Sequence, residues 1–181
     1  AAIGEALKLN EDSVLGLLAK ANYEAQVGRH ETAMTLAKRA VELDPTLSDA
    51  WALIGDLHAA DGDLPAARDA FDKAVDLRGY VSLSTARRAF VLAQMDDFAG
   101  AKNDIRALFA SGYNKQSYVN FVKGFIAFRE SHYPEAVEAL EVSLEGEPNN
   151  TISKFYLVAS YLRDGRPERA RQIATALTDQ G

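Results

Sequence analysis

The 181-residue chain contains no cysteine, which excludes disulfides, thiol nucleophiles and thiolate metal sites. It also lacks any run of about eighteen apolar residues, and no basic segment leads into an apolar stretch, so the sequence offers neither a transmembrane helix nor a signal peptide. A basic excess is missing too. Lys and Arg number 20 against 26 Asp and Glu, and the net charge of −6 is spread along the chain without a cationic stripe. Such a surface repels a phosphate backbone, so nucleic acid is not an expected partner. No GxGxxG, phosphate-binding loop, HExxH or calcium-loop pattern occurs, and neither cofactor nor metal is expected. The three histidines, His30, His58 and His132, lie far apart in sequence, each without the neighbours that a nucleophile pair or a metal site needs. They read as structural or solvated side chains, and no catalytic residue is assigned.

What the chain has in quantity is apolar residues, 48% of the total, enough to bury a core. They recur with a long period. Small residues at Ala33, Ala67, Ala101, Ala136 and Ala170 are spaced by 34, 34, 35 and 34 residues, and glycines at Gly28, Gly62 and Gly165 precede three of them at one fixed offset. The extra residue is expected in the loop Ser111–Gln116. Each period holds two apolar-periodic segments of helical length divided by turn chemistry, so each predicts an antiparallel pair of amphipathic helices. Gly28, Gly62 and Gly165 suit the left-handed residue that ends a first helix, and Asp63 suits the cap of a second. Pro65, Pro134 and Pro167 then fall in first turns, where no helical hydrogen bond is lost. Asp61-Gly62-Asp63 and Asp96-Asp97 are read as capping groups rather than metal ligands. Asn149-Asn150-Thr151 fits the glycosylation pattern but follows Pro148 at a turn, and is read as structural.

The segment Ser48–Val81 carries Trp51, Ile54, Gly55, Gly62, Asp63, Leu64, Ala67, Phe71 and Ala74, and in these residues it resembles the tetratricopeptide repeat. The segment from Thr151 is similar through Leu157, Tyr161, Gly165, Ala170 and Leu177, and the segment from Val14 through Ala21, Gly28, Ala33, Ala40 and Pro45. Two others are degenerate. One has Asp96 and the other Ser131 where the turn glycine belongs, and less regular turns are expected there. The resemblance implies an all-α fold, a right-handed superhelical solenoid of helix-turn-helix hairpins. Its repeats are expected at 14–47, 48–81, 82–116, 117–150 and 151–181, with residues 1–13 ending a preceding unit. Small residues at Ala21, Gly55, Ala89 and Gly124 are expected to face Ala33, Ala67, Ala101 and Ala136, letting helix backbones approach closely.

The resemblance further implies a binding scaffold without enzymatic activity, its ligand lying in the concave groove formed by the first helices. Carried over by position, the partner-binding residues are Asn22, Gln26, Asp49, Asp56, Phe90, Gln94, Tyr118, Phe121, Phe125, Phe128, Arg129, Phe155 and Arg163. Because Asn120 and Lys123 stand where large apolar core residues are expected, Phe121, Phe125 and Phe128 have an alternative place in the interior. The cation set that grips a C-terminal carboxylate in chaperone-binding members is not reproduced, since Leu18, Asp49 and Leu83 occupy its positions and Arg87 stands alone. The expected partner is a protein or peptide segment. Two other readings stay open. The stretch from Tyr118 to Gly124, continued by Ala136, Leu140 and Pro148, is also similar to bacterial repeat lipoproteins of exosortase and exopolysaccharide systems, which implies an envelope assembly part. Alternatively, the chain serves an enzyme whose catalytic domain lies outside it. Ala1 is not an initiator methionine and Glu5–Asn10 reads as the end of a helix, so a longer parent is expected. Neither terminus offers an obvious cap, which makes pairing of two copies through an end a further expectation. Compartment is left open, cytoplasm and periplasm fitting a cysteine-free chain equally.

Overall fold

The computed structural model describes residues 13–78, 83–113 and 116–178, and among them there are ten helices and no strand. In chain order these are α1 (Val14–Gln26), α2 (His30–Leu43), α3 (Ser48–Ala60), α4 (Leu64–Arg78), α5 (Leu83–Gln94), α6 (Phe98–Ala110), α7 (Gln116–Arg129), α8 (Tyr133–Gly146), α9 (Thr151–Arg163) and α10 (Pro167–Thr178). Short connections join them as five successive hairpins, the all-α arrangement that the period predicts. The expected helix end at Ala6, Leu7 and Leu9, the repeat boundary at Val81, part of the Ser111–Gln116 loop and the side chain of Leu177 lie outside the described residues. Two compact units, residues 1–91 and 92–181, make up the chain.

Small residues set the packing inside the hairpins of each unit. Ala21, Ala33, Ala67, Ala89, Ala101 and Ala136 have essentially no solvent exposure. A methyl group added at Gly55 would come within 2.8 Å of the Phe71 ring, and one at Gly124 within 2.6 Å of Leu140. Phe71 and Leu140 are themselves buried, so neither ring nor isobutyl group has space to withdraw. Burying a side chain of this size contributes about 1.5–3 kcal/mol. Glycine here is therefore a matter of volume and not of backbone conformation.

The hairpin turns differ from the sequence expectation. Gly28, Gly62 and Gly165 take φ of 78°, 80° and 74°, as anticipated, yet Asp96 and Ser131 adopt the same left-handed conformation at 64° and 65°. The bonding is equally regular. At Gly62 the two closing bonds run from Gly62 N to Ala59 O and from Asp63 N to His58 O; at Asp96 they run from Asp96 N to Ala93 O and Asp97 N to Leu92 O; at Ser131 from Ser131 N to Phe128 O and His132 N to Ala127 O. This is one αL helix stop repeated along the chain. The expected irregularity at Asp96 and Ser131 is thus corrected: satisfying two orphan carbonyls and docking the next helix outweighs the cost of a Cβ in the left-handed region. Asp63 and Asp97 cap helix starts as read, and Asn150, read only as a turn residue, caps another. Asp63 accepts from Ala66 N at 3.2 Å, Asp97 from Gly100 N at 2.9 Å and Asn150 from Ser153 N at 2.9 Å. Pro65, Pro134 and Pro167 all fall within first turns.

Candidate functional site

In the first unit, the helices α1, α3 and α5 line a concavity of about 450 Å³. Leu18 and Asn22 come from α1; Asp49, Ala52, Leu53 and Asp56 from α3; Leu83, Ser84 and Arg87 from α5. The residues recur at three- and four-residue steps, the spacing that puts side chains on one face of a helix. An adjoining hollow of about 300 Å³ adds Gln26 and His30, and shares Asn22 and Asp56. Four of the polar groove residues read from the sequence, Asn22, Gln26, Asp49 and Asp56, are therefore brought together.

Asp56 is the electrostatic centre of this region. Its carboxylate accepts from the Arg87 guanidinium at 2.7 Å. Partial burial opposes the charged form and outweighs the arginine's attraction, so the carboxyl group is pushed up to about 6. At neutral pH it is ionised, and in mild acid it takes up a proton. The amide of Asn22 donates to Leu18 O at 3.0 Å, which holds the side chain along its own helix. Arg87 was read in sequence as a lone cation. The structure gives it Asp56 as a partner, a pairing legible only once two helices a repeat apart are set side by side.

The aromatic candidates have a different environment. Phe121 and Phe125 on α7 are 4% and 3% exposed. Tyr156 of α9, not singled out in the sequence, closes over them, its ring centroid 6.4 Å from Phe121, 5.1 Å from Phe125 and 5.4 Å from half-buried Phe128. Those rings fill a seam between α7 and α9, the interior place left open for them above. A partner could not reach Phe121 or Phe125 without displacing Tyr156, so these two do not form part of an open surface. Tyr118 is half-buried with its ring 6.1 Å from Phe121. Arg129 lies over the Phe125 ring at 5.7 Å and pairs with Asp96 at 2.5 Å. Phe90 and Gln94 on α5 are half-buried and line none of these hollows. Phe155 is the exposed exception, at 64%, its edge against Tyr156; Arg163 is exposed at the end of the same helix.

Among the described residues no group of three or more His, Cys, Asp or Glu side chains is placed to hold a metal ion, and no helix is long and apolar enough to cross a membrane. The surface is one of shallow helical grooves with fixed polar groups, suited to contact.

Comparison with solved structures gives the same architecture. The chain is similar to one titled MamA 41-end from Desulfovibrio magneticus RS-1, at 17% identity over 93% of this chain and 94% of that one, with a TM-score of 0.71. It is also similar to YrrB, described as a TPR protein with an unusual peptide-binding site, at 20% identity over 96% and 89% of the two chains and a TM-score of 0.65. Against a chain of the APC/C hetero-tetramer Cut9-Hcn1 the TM-score is 0.86 at 15% identity, covering 97% of this chain and 35% of that one. Curated protein sequences yield no match. The sequence profile for the tetratricopeptide repeat matches residues 18–81 and 121–181, well over half of the chain. With the 34-residue period, the repeated left-handed helix stops and the small-residue hairpin contacts, that match places the chain in the tetratricopeptide repeat family.

Proposed function

We propose that the chain is a non-catalytic protein-interaction scaffold that holds a segment of another protein against α1, α3 and α5 of its first unit. Members of this family serve generally as scaffolds that bind peptides or proteins. The single observation behind the choice of surface is the convergence of Asn22, Gln26, Asp49 and Asp56 around two adjoining hollows. Two carboxylates face one guanidinium there, so the surface favours a segment bearing lysine or arginine. Amide groups of Asn22 and Gln26 would serve its backbone, as flat polar surfaces commonly do for extended peptides. YrrB is titled as binding peptide, which agrees in kind with this reading.

Selection of random dodecapeptides on the immobilised chain provides the test. Enrichment of lysine and arginine is expected, and Asp49→Lys with Asp56→Asn should abolish binding of the selected peptides while helix content and melting are retained. Peptides that bind the double variant as well as the parent would move the binding surface elsewhere.

A further inference from the structure

The two units each contain an open cleft at equivalent places, narrower in one than in the other. In the first unit it lies between α2, α3 and α4, measures about 290 Å³ and is lined by Lys38, Val41, Trp51, Ile54 and His58 among others. The Trp51 indole forms part of its wall, its N–H donating to Pro45 O at 2.9 Å and the Lys73 ammonium lying 4.0 Å from the ring centroid. Two repeats further along, the corresponding cleft lies between α6, α7 and α8 and measures about 690 Å³.

The enlargement follows from substitutions read along the repeat. Asn120 stands at the position of Trp51, Ala127 at that of His58 and Lys123 at that of Ile54. Asn120 does not replace the ring. Its amide turns back to donate to Gln116 O at 2.9 Å, and the residue is buried. The floor remains apolar, formed by Ile105, Phe109, Ile126 and Ala127, with Phe109 45% exposed. An apolar surface left wet where the same chain elsewhere narrows the cleft with a tryptophan lacks its natural complement.

Charge specifies the complement further. Lys102 is bound to Glu130 at 2.7 Å across the cleft. Among the described residues Arg106, on α6, donates only to Asn103 at 2.8 Å, and Lys123, on α7, has no carboxylate at ion-pair distance. From α8 come Glu135 and Glu138, so a ligand's carboxylate belongs on the α6–α7 side. We propose that this cleft takes an aromatic side chain from an acidic partner segment, the ring resting on the apolar floor of Ile105, Phe109, Ile126 and Ala127 and the acid pairing with Arg106 and Lys123. Aromatic anchors in desolvated pockets, ringed by pairing groups, are the usual centres of such contacts. The site is separate from the groove around Asp56, and either can exist without the other.

The test is titration of the full chain, methyl-labelled at isoleucine, with N-acetyl-L-tryptophan and with its uncharged amide. Saturable shifts are expected at Ile105 and Ile126 but not at Ile54 or Ile152, with the amide about fivefold weaker through loss of one exposed ion pair. Arg106→Glu, an exposed change that leaves the fold intact, should bring the acid down to the affinity of the amide. Asn120→Trp should fill the cleft and abolish the shifts. Absence of saturable shifts in the parent chain would overturn the proposal, as would equal binding by Arg106→Glu or shifts spread over all isoleucines; should Asn120→Trp misfold, the first three comparisons decide.

Discussion

Asp56 with Arg87 in the first unit and Phe125 with Tyr156 in the second hold the same relation, the ninth residue of one hairpin meeting the sixth of the next. One is an ion pair at 2.7 Å beside open hollows, the other an edge-to-face ring pair at 5.1 Å inside a closed seam. A repeat array can therefore leave one position open to solvent in one unit and bury it in another. Which it does depends on the side chain arriving from the following hairpin. Arginine keeps the surface wet, and tyrosine seals it.

Truncating the sealed pair should have the largest effect. Phe125→Ala is expected to cost about 3–5 kcal/mol, as for aromatic side chains removed from a core, with loss of near-ultraviolet signal from the ring cluster and an earlier denaturant midpoint for the second unit. If the protein tolerated it, the seam would not be cohesive and the contrast with Asp56–Arg87 would collapse. Next comes the shared scaffold. Ala67→Leu, overpacking a fully buried contact of the first unit, should cost about 1–3 kcal/mol by thermal unfolding.

Smaller effects act on the turns and the ion pair. Ser131→Gly should relieve the left-handed strain and raise stability by about 1 kcal/mol, measurable as a higher melting temperature. Asp96→Gly should gain less, because the carboxylate paired with Arg129 is removed at the same time. The Asp56 carboxyl, raised to about 6 in the folded chain, binds its proton more tightly there than in the unfolded chain. Its contribution is complete below the usual carboxylate range and disappears as pH rises through about 6, so Asp56→Asn should flatten the stability profile across that window. In the same window, a basic peptide held by Asp56 should bind more weakly as pH falls.

The hairpins, their caps and the small-residue contacts were legible because each rests on local chemistry that recurs every 34 or 35 residues. Two features were not. Ser131 carries no signal for a left-handed turn in its residue type and Asp96 only the modest tolerance of an aspartate; the conformation is imposed by the carbonyls of the helix before and the packing of the helix after. Likewise, the positions of Phe121, Phe125 and Phe128 leave groove and interior undecided, because Tyr156, which decides it, comes from the following hairpin. Asn22, Gln26, Asp49 and Asp56 line two adjoining hollows, while the pairing of Arg87 needed the neighbouring helix to be seen.

The contact between Gly55 and Phe71 carries a consequence for how such a chain can change over generations. Neither residue is free to vary alone: a methyl group at 55 strikes the ring, and a smaller residue at 71 leaves a void. One repeat earlier the corresponding residues are Ala21 and Ala37, a larger first member with a smaller second. The unit of drift is then the pair, and related arrays should show compensating exchange of volume between these positions even where their groove residues share nothing.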